Sequence, residues 1–170
     1  VIIDPVMVST SGCRLMQEDA LQVFRTELMP LASLLTPNVP EAEILSGIKI
    51  ETVDDMDRAA GKICREAGCA VLVKGGHLDG NTKTDILYAD GQQVETYEAL
   101  TVETRNTHGT GCTLSSAITA HLALEHTMAD AIRQAKTYLY KALEAGKDVE
   151  IGRGHGPVNH FFDPHPYYTK

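Results

Sequence analysis

The residues with the clearest capacity for chemistry lie at positions 104–117, Thr-Arg-Asn-Thr-His-Gly-Thr-Gly-Cys-Thr-Leu-Ser-Ser-Ala. Gly109, Thr110 and Gly111 stand before a run, residues 112–124, with apolar residues at Leu114, Ala117, Ile118, Leu122 and Leu124 and no proline or interior glycine. That spacing predicts a buried helix opening out of a glycine turn. The first amides of a helix lack internal partners and lie at the positive end of its dipole, so this turn can hold a phosphate at close range. Cys112 stands at the mouth of such a site, where a thiol is better placed than an ordinary cysteine to accept a proton. The same residues also describe a plain turn and a capped helix.

Three further polar clusters follow apolar stretches. Residues 1–3, Val-Ile-Ile, read as a buried strand that delivers Asp4 and is stopped by Pro5; Asp4 is a candidate ligand-site acid or a turn aspartate. Residues 31–35 read as a second strand, followed by Thr-Pro-Asn-Val-Pro-Glu, in which Asn38 and Glu41 have the spacing of a helix cap and its box acid. Residues 69–73 form a fully apolar third strand ending in Lys74-Gly75-Gly76; Lys74 is an edge lysine or a phosphate contact.

Between these lie the elements that position them. Residues 17–28 have helical spacing through Ala20, Leu21, Phe24 and Leu28. Thr52 opens a helix stopped at Gly68, and Thr127 opens a last one ended by Gly146. Residues 85–89 and 92–97 alternate around Asp90-Gly91, a hairpin signal. Gly12, Cys13 and Arg14 read as a loop, and the glycine-rich tail from Gly152 reads as a surface wrap whose His155, His160 and His165 fit no zinc spacing.

The chain has 170 residues and a net charge of -8, so it has no basic footprint for nucleic acid or an anionic membrane. Its four cysteines, Cys13, Cys64, Cys69 and Cys112, form no CxxC pair, which fits a reducing cytosol. No run reaches membrane length. The alternation of strands and helices argues a mostly parallel α/β sheet with the hairpin at one edge. Such a sheet gathers its strand ends on one side, bringing Asp4, Asn38, Glu41, Lys74 and the glycine turn together. Carboxylates for Mg²⁺, a lysine and an amide nest suit phosphoryl transfer, and no P-loop motif is present. The abrupt start at Val1 reads as that of a fragment.

The blocks DPVM (4–7), TPNVPEAE (36–43), VLVKGGH (71–77), NTHGTGCTLSSAI (106–118) and GPVNHF (156–161) closely resemble, in order, the bacterial hydroxymethylpyrimidine/phosphomethylpyrimidine kinases of thiamine biosynthesis, within the ribokinase-like superfamily. The resemblance implies a three-layer α/β/α fold, with residues 1–170 as one domain lacking the family's N-terminal third. It implies a cytoplasmic homodimer that uses ATP and Mg²⁺ to phosphorylate 4-amino-5-hydroxymethyl-2-methylpyrimidine and then its monophosphate. By position, Gly109, Thr110 and Gly111 are similar to the family's anion hole and Cys112 to its catalytic base. Lys74, Gly76, Asn38 and Thr107 fall at nucleotide-binding positions, with Asn38 and Glu41 matching the NxxE pattern that organises the metal and its waters. Glu41 and Asp4 are the metal positions. His108 is assigned no chemistry. Without the N-terminal third, the chain is expected to bind the pyrimidine poorly. Alternatives are a cysteine-containing pyridoxal or pyridoxine kinase and a non-catalytic nucleotide- or precursor-binding module.

Overall fold

The computed structural model describes residues 1–8, 15–78 and 80–164, so the loop at Gly12, Cys13 and Arg14 and the tail residue His165 lie outside the described residues. The chain divides into two compact units, Val1–Thr101 and Val102–Lys170.

The first unit is built on a five-stranded sheet in the order β1 (Ile2–Ile3), β2 (Leu34–Leu35), β3 (Ala70–Lys74), β4 (Thr82–Ala89) and β5 (Gln92–Leu100). The first three strands are parallel, Ile2 facing Leu34 and Leu34 facing Ala70, while β3, β4 and β5 pair antiparallel. The expected hairpin is therefore present at one edge, and it is longer than the sequence alternation suggested. Its turn has φ of 52° at Asp90 and 74° at Gly91, the left-handed pair that lets a two-residue connection match the strand twist.

Helices α1 (Glu18–Val23), α2 (Val39–Ser46) and α3 (Val53–Ala67) belong to the same unit. Their apolar residues Leu21, Ala42, Leu45, Met56, Ala59, Ala60 and Ile63 join Leu35, Val71, Val73 and Ile86 of the sheet in one buried cluster. Val71 and Val73 alternate along β3, as one face of a strand must. Helices α2 and α3 end at Gly47 and Gly68, with φ of 68° and 66°, the left-handed geometry in which glycine has no side-chain clash.

Three expectations change here. The helix foreseen over residues 17–28 is α-helical only to Val23; Phe24–Leu28 forms a π turn and Met29–Leu31 a 3-10 turn. Pro30 has no amide to extend the ladder, and the chain leaves the helix through a wide and then a tight turn. The second strand consequently begins at Leu34 rather than Leu31, which is 65% exposed. At the N-terminus, Val1 is 72% exposed and lies outside β1, its carbonyl accepting from the Ser33 amide at 2.7 Å, so the first strand is shorter and less buried than its β-branched run suggested.

The second unit packs α4 (Thr110–Ala123) against α5 (Met128–Gly146). Its buried residues include Leu114 and Ile118 from α4 and Ala131, Ile132, Ala135 and Ala142 from α5. Small alanines on α5 allow close helix approach. The reading of residues 112–124 as a buried helix is corrected: α4 buries only the Leu114–Ile118 stripe, Ala120 is exposed and Leu124 is 70% exposed. Thr127 caps α5 by accepting from the Asp130 amide at 3.2 Å. Among the described residues, no helix is long and apolar enough to cross a membrane.

Candidate active site

In the first unit, the ends of β1, β2 and β3 deliver Asp4, Thr36 and Lys74 side by side. The Lys74 ammonium donates to Asp4 Oδ1 at 2.7 Å, and the Thr36 hydroxyl donates to the same oxygen at 2.9 Å. Both charged side chains are largely sheltered, at 13% and 16% exposure, which strengthens their attraction relative to a surface pair. Lys74, the last residue of β3, continues the parallel register beyond the end of β2: its amide donates to Pro37 O at 2.8 Å, and it bridges Asn38.

Asn38 and Glu41 form the capping box their spacing suggested. Asn38 Oδ1 accepts from the Glu41 amide at 3.0 Å and Glu41 Oε2 accepts from the Asn38 amide at 2.8 Å. Glu41 does more than close a cap. It is 2% exposed, and Oε1 also accepts a long bond, 3.4 Å, from the Met7 amide. Burial raises its carboxyl above the ordinary value, while the Asn38 amide and the Lys74 charge oppose that rise and the neighbouring Asp4 charge adds to it.

After Lys74 the chain turns sharply. The Gly75 amide donates to the buried Asp85 carboxylate at 2.9 Å, and a Cβ on Gly75 would lie 2.0 Å from Thr84 O, so only glycine fits. Gly76, by contrast, is exposed with open space around it, leaving its backbone accessible to a ligand.

The second unit holds the glycine turn. Gly109 caps α4 with φ of 86° and offers no side-chain cap; its carbonyl accepts from Thr113 at 2.9 Å. Thr107 is exposed, and its carbonyl receives only a long 3.4 Å bond from the Thr110 amide. Among the described residues, no acceptor lies within hydrogen-bonding reach of the Gly111 and Cys112 amides, and the Cys112 thiol is exposed. An anion is the natural partner for such amides. His108 has a backbone role, bridging Pro157.

The site residues thus fall into two sets: Asp4, Asn38, Glu41, Lys74 and Gly76 in one unit, and Thr107, Gly109, Thr110, Gly111 and Cys112 in the other. Sequence reasoning missed Thr36, Gly75 and Asp85 as supports. Thr36 lies directly beyond an apolar run in the same block as Asn38, a placement that pointed to a strand end; nothing about Asp85 distinguished it from other strand aspartates. The donor set of the first group, two hard carboxylates of which Glu41 is already engaged by amides, fits Mg²⁺ held partly through its waters.

The family model described as "Phosphomethylpyrimidine kinase" matches residues 1–159. A Rhizobium meliloti protein named hydroxymethylpyrimidine/phosphomethylpyrimidine kinase is 47% identical over 161 residues, covering 94% of this chain and 60% of that protein. The chain therefore spans less than two thirds of that curated relative. Among solved structures, a Staphylococcus aureus pyridoxal kinase in complex with AMP-PCP superposes with a TM-score of 0.83 at 32% identity, covering 94% of this chain and 57% of that one. A phosphomethylpyrimidine kinase from Clostridium difficile superposes with a TM-score of 0.69 at 41% identity, covering 84% and 56%. The α/β fold expected from the sequence is thus that of these ribokinase-like relatives.

Proposed function

The chain belongs to the phosphomethylpyrimidine kinase family, and from that premise we propose that it supplies the phosphate-handling part of an ATP-dependent kinase. The substrates of this reading are 4-amino-5-hydroxymethyl-2-methylpyrimidine and then its monophosphate. The observation that carries it is the sheltered Lys74–Asp4 pair beside the amide-held Glu41, an arrangement of fixed charge suited to a polyphosphate and its metal.

In this reading Lys74, Gly76, Asn38 and Thr107 bind nucleotide phosphates. Asp4 and Glu41 would hold Mg²⁺, which when bound would neutralise charge on the transferring phosphoryl oxygens. The amides of Gly109, Thr110 and Gly111 stabilise the γ-phosphate. Cys112 accepts the proton of the acceptor hydroxymethyl group as its oxygen bonds to the γ-phosphorus and the bond to the bridging oxygen of ADP breaks. In the second phosphorylation the attacking group is a phosphate oxygen, already ionised near neutral pH, so a strong base is dispensable. The reading includes residues 1–170 acting as one domain of a cytoplasmic homodimer.

Kinetics of Cys112→Ala in the intact protein test this directly. The first phosphorylation is expected to slow about 10²-fold and the second by less, while thermal stability is unchanged because the thiol is exposed. Equal losses in both steps, or none in either, refute the role. A second reading, a pyridoxal kinase with cysteine at the base position, is favoured by the likeness to the Staphylococcus aureus enzyme. Competition between pyridoxal and the hydroxymethylpyrimidine in one ATP-consumption assay separates the two.

A further inference from the structure

We propose that Asn106 is a positioning residue that locks the glycine turn to the C-terminal tail, so that nucleotide binding at the turn is set in part by residues 156–158. This rests on the kinase reading above and adds to it a residue that need touch no substrate.

Asn106 is 3% exposed, and its side chain is fully used. Nδ2 donates to Gly146 O at 2.8 Å and to Val149 O at 2.7 Å, while Oδ1 accepts from the Gly156 amide at 3.1 Å. Only a carboxamide offers two donors and an acceptor in this fork; aspartate lacks the donors and leucine lacks everything. One side chain thereby joins the end of α5, the turn after it and the tail. Its own backbone amide is held as well, donating to Thr104 Oγ1 at 3.0 Å.

The tail is shaped to receive this grip. A Cβ on Gly156 would lie 2.2 Å from Asn106 Oδ1, so the position excludes every larger residue while the bond exists. Two residues on, the His108 amide donates to Gly156 O at 3.0 Å and the Val158 amide to His108 O at 3.3 Å. The tail is then tied back to α5 by the Asn159 amide, which donates to Ala142 O at 3.1 Å. Residues 106 and 108 are both fastened, and Gly109 follows at once as the helix cap. The open amides at Gly111 and Cys112 therefore take their direction from a segment whose other wall is the tail.

The test uses the intact protein. Asn106→Asp keeps volume and acceptor but removes both donors; Gly156→Ala leaves Asn106 whole and displaces the tail from it. Each is expected to raise KM for ATP about 10- to 100-fold with the acceptor KM within about twofold, because misplacement is confined to the phosphate turn. The double variant is expected to be no worse than the worse single one, since both break one contact. Folded variants whose KM for ATP is unchanged, whose two KM values rise together, or whose losses add would overturn the proposal. Hydrogen–deuterium exchange of the wild-type protein decides the matter even if neither variant folds. A nonhydrolysable ATP analogue should protect residues 104–111 and 155–159 together, whereas protection of the turn alone overturns the coupling. A wild-type protein that neither binds the analogue nor consumes ATP overturns the kinase reading itself.

Discussion

The chain builds the same capping box twice, at Asn38/Glu41 and at Thr52/Asp55, and the two copies live in opposite electrostatic worlds. In each, the cap side chain accepts from the N3 amide and the N3 acid accepts from the cap amide. At α3 the acid is only partly covered, and bonds from Arg58, which is itself exposed to solvent, and from Thr52 hold Asp55 down to about 2. At α2 the acid is buried beside Asp4 and Lys74, and Glu41 is pushed up instead. A local motif explains a helix start in both places. Only one copy places a costly buried carboxylate next to other charges, and that excess over what capping requires marks the candidate site.

The difference can be broken most severely through activity. Glu41→Ala is expected to reduce kcat/KM for ATP-dependent phosphorylation by about 10²- to 10³-fold in the intact protein, and Asp55→Ala to leave it unchanged; steady-state kinetics of the pair check this. Removing the counter-charge comes next. Lys74→Met leaves Asp4 and Glu41 facing each other without a cation and should cost about 3 kcal/mol in urea unfolding, whereas Arg58→Met beside Asp55 should be close to neutral. Smaller again, and equal in the two places, is the cap itself: Asn38→Ala and Thr52→Ala should each cost about 1 kcal/mol, with only the first also impairing catalysis.

The smallest effect has opposite signs. Asp55 is held below its ordinary 3.8, so its contribution to stability is present above that value and is lost as pH falls through about 2. Glu41 is held above its ordinary 4.5, so its ionisation opposes folding and that penalty grows as pH rises past 4.5. Thermal midpoints from pH 2.5 to 7 should therefore show the wild type losing its lead over Asp55→Asn as pH falls below 4 and losing ground to Glu41→Gln as pH rises above 4.5. Parallel curves for the two variants would erase the distinction drawn between the boxes.

Much of this architecture was legible in the sequence wherever the governing interaction is local. Both capping boxes, the Thr127 cap, the Gly47 and Gly68 helix stops and the Asp90-Gly91 turn each depend on residues within a few positions of one another. The polar residues at strand ends were legible too, through the parallel-sheet rule. What escaped was set by distant partners. Asn106 reaches Val149 and Gly156 across 43 and 50 residues, and the rule that gathered Asp4 and Lys74, 70 apart, at one edge did not say that they bond to each other. No spacing rule encodes such bonds. Helix α4 was misjudged for a related reason: its apolar composition does not say how wide a stripe its neighbours will cover, and they cover Leu114 and Ile118 but not Leu124.

The sheet's two kinds of pairing also imply an order of assembly. The β4–β5 hairpin closes over a two-residue turn, a microsecond-scale event, whereas β1, β2 and β3 meet through only two rungs per pair after long intervening segments, residues 4–33 and 36–69. Refolding should thus register hairpin formation early and bring the aspartate and lysine of the charged cradle into contact late. The expensive concentration of charge is created only once a nonpolar scaffold exists to hold it, which spares the partly folded chain a repulsion it could not yet balance.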